Sequence, residues 1–513
     1  MHKKINKNRL LKKKINSIET SRKNPIPFDN SFVQLGEKFY AKLNPTPVEQ
    51  PEIVKLNDEL SNKLGTDLEM LDLEDWASIF SGNRILPGSE PLAMVYAGHQ
   101  FGHFVPKLGD GRAILLGEVI DNSSIRNDIQ LKGSGLTPFS RQGDGRAALG
   151  PVLREYIISE AMHALGIPTT RSLCAVTTGE TVYRETVLPG AVLTRVASGH
   201  VRTGTFQYFA LRGEEKAITQ LGNYVIDRHY PEVKEAPNTY LKLLEKVMDR
   251  HARLVTQWMH VGFIHGVMNT DNMVLSGETI DYGPCAFMDT FNRTQVFSSI
   301  DHLGRYSYGN QPQIVQWILA RLAETILPLI DKNQESAAEL AKEVIEVYSE
   351  RFQEYWFSGM RQKLGLLTSE PEDENLIQSL LNKMQENEAD FTLTFRRLCD
   401  AALDPKMDGN LRNLFKDAGA YDKWSKSWRN RLSRESESPE ERTKLMRKVN
   451  PAVIPRNHRV EQALNAAVEH LDYGPFEKLV EVLASPYEEL EGQNEFMLPP
   501  KPEEHVMHTF CGT

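Results

Sequence analysis

The chain has 513 residues, of which 40% are hydrophobic and 25% are charged, and its four cysteines form no CxxC pair. These proportions are typical of a soluble globular protein with two or three domains, and they exclude a disulfide scaffold and a cysteine-ligated zinc site. The net charge of −9 argues against a duplex nucleic acid partner, because binding phosphate backbones requires clustered cations.

The first segment, residues 1–48, is predicted to be a basic arm followed by an extended lead-in. Residues 1–18 hold six lysines and one arginine without an acidic residue. The arm lacks the apolar core of a signal peptide, and its lysine-rich composition is a poor match to a mitochondrial transit peptide. We therefore expect a solvated tail in this segment rather than a targeting signal.

Residues 49–205 are predicted to form a strand-rich unit. Glycine is dense from about residue 90, and one helix, Val152–Leu165, is indicated by Pro151 in its first turn and by Gly166 just after its end. Short runs of β-forming residues predict the strands Ala113–Val119, Asp128–Lys132, Leu173–Thr178, Thr181–Val187 and Ala191–Val196.

Residues 206–364 are predicted to be helical, and residues 365–513 to be a helical extension with a tail. Apolar residues recur at three- and four-residue spacing in Tyr240–Val261, Gln313–Leu329 and Ser336–Trp356. A charge-rich linker is expected at Ser433–Arg447. No run of 18 apolar residues occurs, so no membrane span and no membrane partner are expected.

Two copies of one short motif stand in the strand-rich unit. Gly109-Asp110-Gly111-Arg112 recurs as Gly143-Asp144-Gly145-Arg146. Two copies are too few for a repeat architecture, and both are interpreted as tight turns whose bare backbone can approach a ligand closely.

The most specific motif lies in the helical unit. A kinase catalytic loop has a His, an Asp two residues later and an Asn seven residues after the His, and a metal-binding Asp-x-Gly follows. His265, Asn272 and Asp281-Tyr282-Gly283 match that pattern. The position of the catalytic Asp is taken by Val267, which cannot accept a proton.

Basic residues in the strand-rich unit predict a phosphate-binding site. Lys132 ends a predicted strand and Glu155 follows on the predicted helix, in the order in which kinases use a strand lysine and its orienting glutamate. Arginine guanidinium groups bind phosphate oxygens in pairs, and four arginines lie nearby in sequence. They are Arg112, Arg146, Arg195 and Arg202.

Taken together, these motifs resemble the selenoprotein O family of protein adenylyltransferases, a branch of the protein-kinase-like fold. The resemblance runs from about residue 30 to the C-terminus. It rests on Tyr96–Gly102, Leu108–Arg112, Gln130–Gly135, Phe139–Arg146, Arg154–Tyr156, His265–Asn272 and Asp281–Pro284.

The resemblance implies an α+β, protein-kinase-like fold with two lobes. The strand-rich N-lobe would be residues 49–205 and the helical C-lobe residues 206–364, with a C-terminal helical extension over residues 365–513. It also implies an enzyme that transfers AMP from ATP to Ser, Thr or Tyr hydroxyls of proteins, with pyrophosphate leaving. UTP is an alternative donor, self-modification is expected, and a monomer is the expected state.

Roles for individual residues follow from the same resemblance. Asp271 would take the acceptor proton, Glu155 would orient Lys132, and Asn272 with Asp281 would hold Mg²⁺ or Mn²⁺. The implied nucleotide contacts are Gly109, Gly111, Arg112, Lys132, Asp144, Gly145, Arg195, Arg202 and Asp281.

The third residue from the end is a selenocysteine in some eukaryotic members of that family, and here it is Cys511. It is therefore the candidate for redox control, although the sequence names no partner for it. A cysteine at this position favours a bacterial cytoplasmic protein, with the mitochondrion as the alternative location.

Two alternative functions remain open on the sequence. The chain could be a phosphotransferase with an unusual base, since its motifs follow the kinase pattern. It could also be a non-catalytic nucleotide-binding scaffold, which Val267 favours and the retained pair Asn272 and Asp281 opposes.

Overall fold

The computed structural model describes residues 24–489 and 491–510. The lysine-rich arm of residues 1–18 and the redox candidate Cys511 therefore lie outside the described residues.

Ten of the twelve described strands lie before residue 198, and thirteen of the sixteen described α-helices lie after it. The strands are β1 (Tyr40–Lys42), β2 (Glu52–Leu56), β3 (Leu92–Met94), β4 (Gly98–Gln100), β5 (His103–Val105), β6 (Ala113–Ile120), β7 (Arg126–Lys132), β8 (Ala147–Ala148), β9 (Arg171–Tyr183), β10 (Val187–Ala197), β11 (Phe263–Ile264) and β12 (Ala286–Phe287).

The helices fall into two groups, separated by the two-stranded sheet of β11 and β12. Before it lie α1 (Asp58–Lys63), α2 (Leu73–Ser81), α3 (Leu149–Ala164), α4 (Thr203–Ala210), α5 (Glu215–His229) and α6 (Thr239–His260). After it lie α7 (Gln311–Ile330), α8 (Gln334–Glu346), α9 (Tyr348–Lys363), α10 (Asp373–Glu386), α11 (Phe391–Leu403), α12 (Asp408–Arg412), α13 (Ala418–Leu432), α14 (Pro439–Arg447), α15 (Asn457–His470) and α16 (Gly474–Leu483).

An antiparallel sheet organises the first half of the molecule. Its strand order is β1-β3-β6-β7-β10-β9-β2, and β8 pairs with β10. In the centre of the sheet, Lys132 of β7 lies opposite Leu193 of β10, and Gln130 lies opposite Arg195. Because side chains alternate between the two faces of a strand, this register directs Lys132, Gln130 and Arg195 to one face. The mixed α+β class expected from the sequence is confirmed.

Hydrophobic cores lie on both faces of this sheet. One face packs on α1 and α2 around Trp76 and Phe80. The other face packs on α3 and belongs to the largest core, which extends through α6 and α7 to Phe476 and Leu483 of α16. A further core, around Trp424 and Trp428, joins helices α10 to α14. The second face of the sheet is therefore buried by helices from distant parts of the sequence.

Several predicted boundaries were wrong. Leu173–Thr178 and Thr181–Val187 were predicted as two strands, but β9 runs unbroken from Arg171 to Tyr183, with Gly179 at φ +71°. The predicted helix Ser336–Trp356 is two helices, α8 and α9, which meet at Val347. The predicted linker Ser433–Arg447 contains α14, which begins where the side chain of Ser438 accepts a hydrogen bond from the Glu441 amide.

One described segment, Tyr308–Ile330, is long and apolar enough to cross a membrane by length and composition alone. Half of the most apolar 18-residue stretch of this segment is buried within the molecule. The segment contains α7, which packs against α4, α6 and α8. This packing is that of a core helix, which passes the same compositional test.

Candidate active site

A cavity of about 1040 Å³ lies where the sheet meets the loops that follow α6. It is lined by every residue to which the resemblance assigned a role in the reaction, apart from Cys511, which lies outside the described residues. These residues are Gly109, Gly111, Arg112, Lys132, Asp144, Gly145, Glu155, Arg195, Arg202, Asp271, Asn272 and Asp281. The cavity therefore brings together residues that lie up to 172 positions apart in the sequence.

An ion-pair network occupies the centre of the cavity. The Lys132 ammonium contacts Glu155 of α3 and lies 3.2 Å from Asp281. Arg195 binds the same two carboxylates, at 2.6 Å from Asp281 and 3.2 Å from Glu155. Arg202 binds the second oxygen of Asp281 at 2.6 Å. Burial alone would raise the pKa of Asp281, but Arg202, Arg195 and Lys132 together hold it well below its ordinary value.

Behind this network lies a buried polar chain that the sequence did not predict. Gln130 accepts a hydrogen bond from Arg195 at 2.6 Å and donates one to Asp110 at 3.2 Å. Asp110 also accepts from the Met94 amide at 3.0 Å. Asp110 belongs to the repeated Gly-Asp-Gly-Arg motif. That repetition is the sequence signal that could have indicated a structural role for it.

The loop between β11 and β12 carries the kinase-like motif. His265 is buried, and its Nε2 makes a 2.9 Å hydrogen bond with the carbonyl of Ile280, which joins the two halves of the motif. Asn272 donates its amide to the carbonyl of Val267 at 2.8 Å. Asp281, at φ +62°, directly follows Ile280. The motif residues therefore share one folded loop system rather than separate turns.

Asp271 is a buried carboxylate on the wall of the cavity. Its side chain contacts Gln100 at 3.4 Å through Oδ2, while Oδ1 has no hydrogen-bond partner among the described residues. Its backbone carbonyl accepts a hydrogen bond from Arg202. Burial raises the pKa of Asp271 to about 6, although the positive charge of Arg202 partly offsets that effect. A carboxylate of this kind can act as a proton acceptor near neutral pH.

The hairpin of β4 and β5 is hydrogen-bonded to residues 269–272, which are called the Asp271 loop. The His99 amide donates to Thr270 at 2.7 Å, and the Phe101 amide donates to Asn269 at 3.0 Å. Gly98 approaches so closely that a Cβ there would lie 2.2 Å from Oδ1 of Asp271. No role was assigned to Gly98 or Gln100 from the sequence, because the residue that they contact, Asp271, lies about 170 positions further along the chain.

The glycine-rich turns also line the cavity. Gly109 has φ +70°, and a Cβ there would lie 2.4 Å from the ring of Phe139. Gly145 also has φ +70°, and a Cβ there would lie 2.1 Å from the carbonyl of Gly135. At both positions the positive φ and the short contact disfavour any residue with a side chain. The two glycines therefore allow the backbone of the turns to pack closely at the cavity wall.

Two charged residues of the second turn are engaged within the protein. Asp144 binds Arg184 at 2.8 and 3.1 Å and accepts from the Arg146 amide; these hydrogen bonds lower its pKa. Arg146 donates to the carbonyls of Thr46 and Pro47 at 3.0 Å each and lies 3.2 Å from Glu180. The guanidinium of Arg146 therefore joins the lead-in segment to the sheet. Arg146 also lines the cavity, and the phosphate contact expected of it stays a prediction.

Asn272 and Asp281 both line this cavity and carry oxygen atoms of the kind that a divalent cation prefers. Because the Asn272 nitrogen is held by Val267, its oxygen remains to coordinate, and Asp281 supplies a carboxylate. Carboxylate and amide oxygens are suitable ligands for Mg²⁺, which usually takes its remaining ligands from water and substrate phosphates. No group of three or more His, Cys, Asp or Glu that could hold a metal occurs in residues 24–489 and 491–510.

Comparison with known proteins identifies the family. The family model described as "Protein adenylyltransferase SelO" matches residues 24–484. The chain is 61% identical over 489 residues to the protein nucleotidyltransferase YdiU of Rhizobium rhizogenes, covering 95% of this chain and 97% of that one. Relatives of the same name in Rhizobium meliloti and Rhodopseudomonas palustris strain BisB5 are 58% and 56% identical, and each alignment covers 95% of this chain and 99% of the relative. The chain therefore belongs to the SelO family of protein adenylyltransferases.

Proposed function

We propose that this enzyme transfers AMP from ATP to the hydroxyl of a Ser, Thr or Tyr residue in a protein, and that pyrophosphate leaves. One observation carries the proposal beyond family membership. Val267 stands where a kinase has its catalytic Asp, and the buried carboxylate of Asp271, with a raised pKa, lines the same cavity as the phosphate-binding residues. UTP is the alternative donor, which would transfer UMP.

The proposed reaction needs a proton acceptor and cationic side chains that stabilise the leaving pyrophosphate. The acceptor oxygen attacks the α-phosphorus, the bond from that phosphorus to the β-phosphate oxygen breaks, and the hydroxyl proton passes to Asp271. Negative charge then develops on the leaving pyrophosphate. Lys132, Arg195 and Arg202 are suited to stabilise it, since all three already bind carboxylates in this cavity.

Nucleotide binding would rearrange the ion pairs that Asp281 makes with Lys132, Arg195 and Arg202. The β- and γ-phosphates compete with Asp281 for Lys132, Arg195 and Arg202, since all of these anions carry oxygen acceptors of the same kind. Asp281 is then available to hold Mg²⁺ or Mn²⁺ together with Asn272. When bound, the metal would neutralise phosphate charge and orient the nucleotide. Arg112 and the backbone turns at Gly109, Gly111 and Gly145 complete the proposed nucleotide site, beside Asp144.

The order of the site residues along the chain supports a protein-kinase-like arrangement. Kinases hold ATP with a strand lysine, a helix glutamate, a catalytic-loop asparagine and the aspartate of an Asp-x-Gly motif. Lys132 of β7, Glu155 of α3, Asn272 and Asp281 have the same order and the same type of element. We accordingly propose residues 49–205 and 206–364 as the two lobes, with 365–513 as the extension.

The remaining features of the proposal concern partners and location. Substrates would be proteins that present a hydroxyl side chain, and the chain would also modify itself. We propose a monomer in the bacterial cytoplasm; the relatives named above are bacterial proteins.

Labelled nucleotides test the reaction directly. ATP labelled at the α-phosphorus is expected to label the acceptor protein, whereas ATP labelled at the γ-phosphorus is expected to leave it unlabelled. Asp281→Ala should abolish the labelling. Transfer of the γ label without the α label would instead identify a phosphotransferase, and the absence of both, with nucleotide binding intact, would identify a scaffold.

A further inference from the structure

Two exposed apolar side chains lie at the mouth of the cavity. Ile300 is 55% exposed and Phe510 is 69% exposed, and both line the cavity. Among the described lining residues, these two are the large hydrophobic side chains that remain mainly in solvent. Phosphates, ribose and a metal ion are polar or charged and do not match an apolar surface. These two side chains therefore suit an apolar ligand group.

Phe510 is held in place by the residue before it. Thr509 is buried, and its amide donates to the carbonyl of Phe297 at 2.8 Å, while its carbonyl accepts from the Ser299 amide at 3.1 Å. Its hydroxyl donates to the carbonyl of Pro284 at 2.6 Å. Three hydrogen bonds around one residue fix the end of the described chain against the loop that carries Asp281.

Ile300 belongs to a segment that is fastened to the Asp271 loop. The Tyr306 hydroxyl donates to Asn269 at 2.7 Å, two residues before Asp271. Asp301 closes this segment by accepting hydrogen bonds from the amides of Arg305 and Tyr306, at 2.9 and 2.7 Å. The segments that carry the two apolar side chains are therefore joined to the loops that carry Asp281 and Asp271, through Pro284 and Asn269 respectively.

We propose that Ile300 and Phe510 form an apolar lip that binds a hydrophobic side chain of the acceptor polypeptide, next to the hydroxyl that is modified. This inference rests on the proposed function and specifies its substrate: a segment in which the acceptor Ser, Thr or Tyr has an apolar neighbour. The occupant must reach Asp271 with its hydroxyl and present apolar surface at the mouth at the same time. A polypeptide does both, because side chains of different chemistry follow one another along its backbone.

Paired peptides test the lip. Two acceptor peptides that differ by Leu or Asn beside a single acceptor hydroxyl are compared by kcat/KM with α-labelled ATP. The wild-type enzyme is expected to prefer the Leu peptide by about tenfold, the size expected for burial of one branched apolar side chain. Ile300→Ala and Phe510→Ala should each reduce this preference, and the double variant should abolish it while the KM for ATP stays within about twofold.

Met507→Ala is the matched control, since Met507 lies in the same tail, is 69% exposed and does not line the cavity. It should keep the full preference. Retention of the preference by the double variant would overturn the inference. So would a large rise in the KM for ATP, because it would assign the two side chains to the nucleobase. If the wild-type enzyme transfers AMP to neither peptide, the proposed function fails, and peptide affinities measured by fluorescence anisotropy still decide whether the lip binds the Leu peptide more tightly.

Discussion

At the scale of single residues, the chemistry of the site depends on the different surroundings of two carboxylates. Asp281 contacts three cationic side chains, which keep it ionised. Asp271 is buried with one oxygen unpartnered among the described residues, and its pKa is raised to about 6. The strongly acidic group suits a cation ligand and the weakly acidic group suits a proton acceptor, which supports the two roles proposed for them.

The raised pKa of Asp271 predicts the pH dependence of the reaction. A general base must be deprotonated, so kcat/KM for the acceptor should rise with pH, reach half of its plateau near pH 6 and level off above it. Asp271→Asn should lower the rate by about 10²–10⁴ and remove this rise. The measurement is a pH profile of α-label transfer; an unchanged profile in the Asn variant would assign the proton to another group.

The sequence predicted residues that meet in the cavity, but it did not predict the protein partners that some of them have there. The motif spacing was enough to nominate Lys132, Glu155, Asn272 and Asp281, because those roles recur in a fixed chain order. It could not indicate that Asp144 binds Arg184 or that Arg146 binds backbone carbonyls, since both partners come from other segments. Contacts of that kind depend on the tertiary fold.

At the scale of elements, the hairpin of β4 and β5 is one of the features that the sequence patterns did not predict. Its strands have three residues each, too short for an alternation pattern to be visible. A long helix with a regular apolar pattern was predicted well: the helix expected at Tyr240–Val261 is α6, Thr239–His260. The hairpin nevertheless controls the Asp271 loop, because it supplies backbone donors to Thr270 and Asn269.

The close approach of this hairpin can be tested at Gly98. In Gly98→Ala the new Cβ would meet Oδ1 of Asp271 at 2.2 Å and a methyl of Leu108 at 2.8 Å, so the hairpin or the loop must move. Overpacking of this kind costs about 1–3 kcal/mol of stability. We expect kcat to fall at least tenfold, since small displacements of a catalytic group are costly.

Gly409→Ala is the matched control for that variant, because a Cβ at Gly409 meets no atom within 4 Å. It should leave kcat unchanged. Steady-state kinetics and thermal melting measure both variants. A Gly98→Ala enzyme with wild-type kcat would mean that the hairpin does not constrain Asp271.

At the scale of the whole molecule, the C-terminal extension is part of the scaffold of the active site. Helices α15 and α16 pack on α3, the helix that carries Glu155. Phe476 of α16 lies edge-on to Tyr156 with ring centroids 5.6 Å apart, and Glu461 of α15 pairs with Arg154. Composition suggested a helical appendix without catalytic residues, and nothing in its sequence indicated that it supports the residues on either side of Glu155.

This arrangement predicts that the first 364 residues cannot fold into an active unit. Such a fragment would expose the face of α3 that α15 and α16 cover, and would lose the buried Arg456, which pairs with Asp289 at 2.7 Å. We expect the fragment to lack a cooperative thermal transition and to show no rise in melting temperature with ATP.

Phe476→Ala in the full chain tests the same contact: removal of this fully buried ring should cost about 3–5 kcal/mol and raise the KM for ATP, because α3 carries Glu155. Leu498→Ala, at a side chain that is 50% exposed, should change neither quantity. A cooperative, ATP-stabilised fragment of residues 1–364 would show instead that the lobes hold Glu155 without the extension.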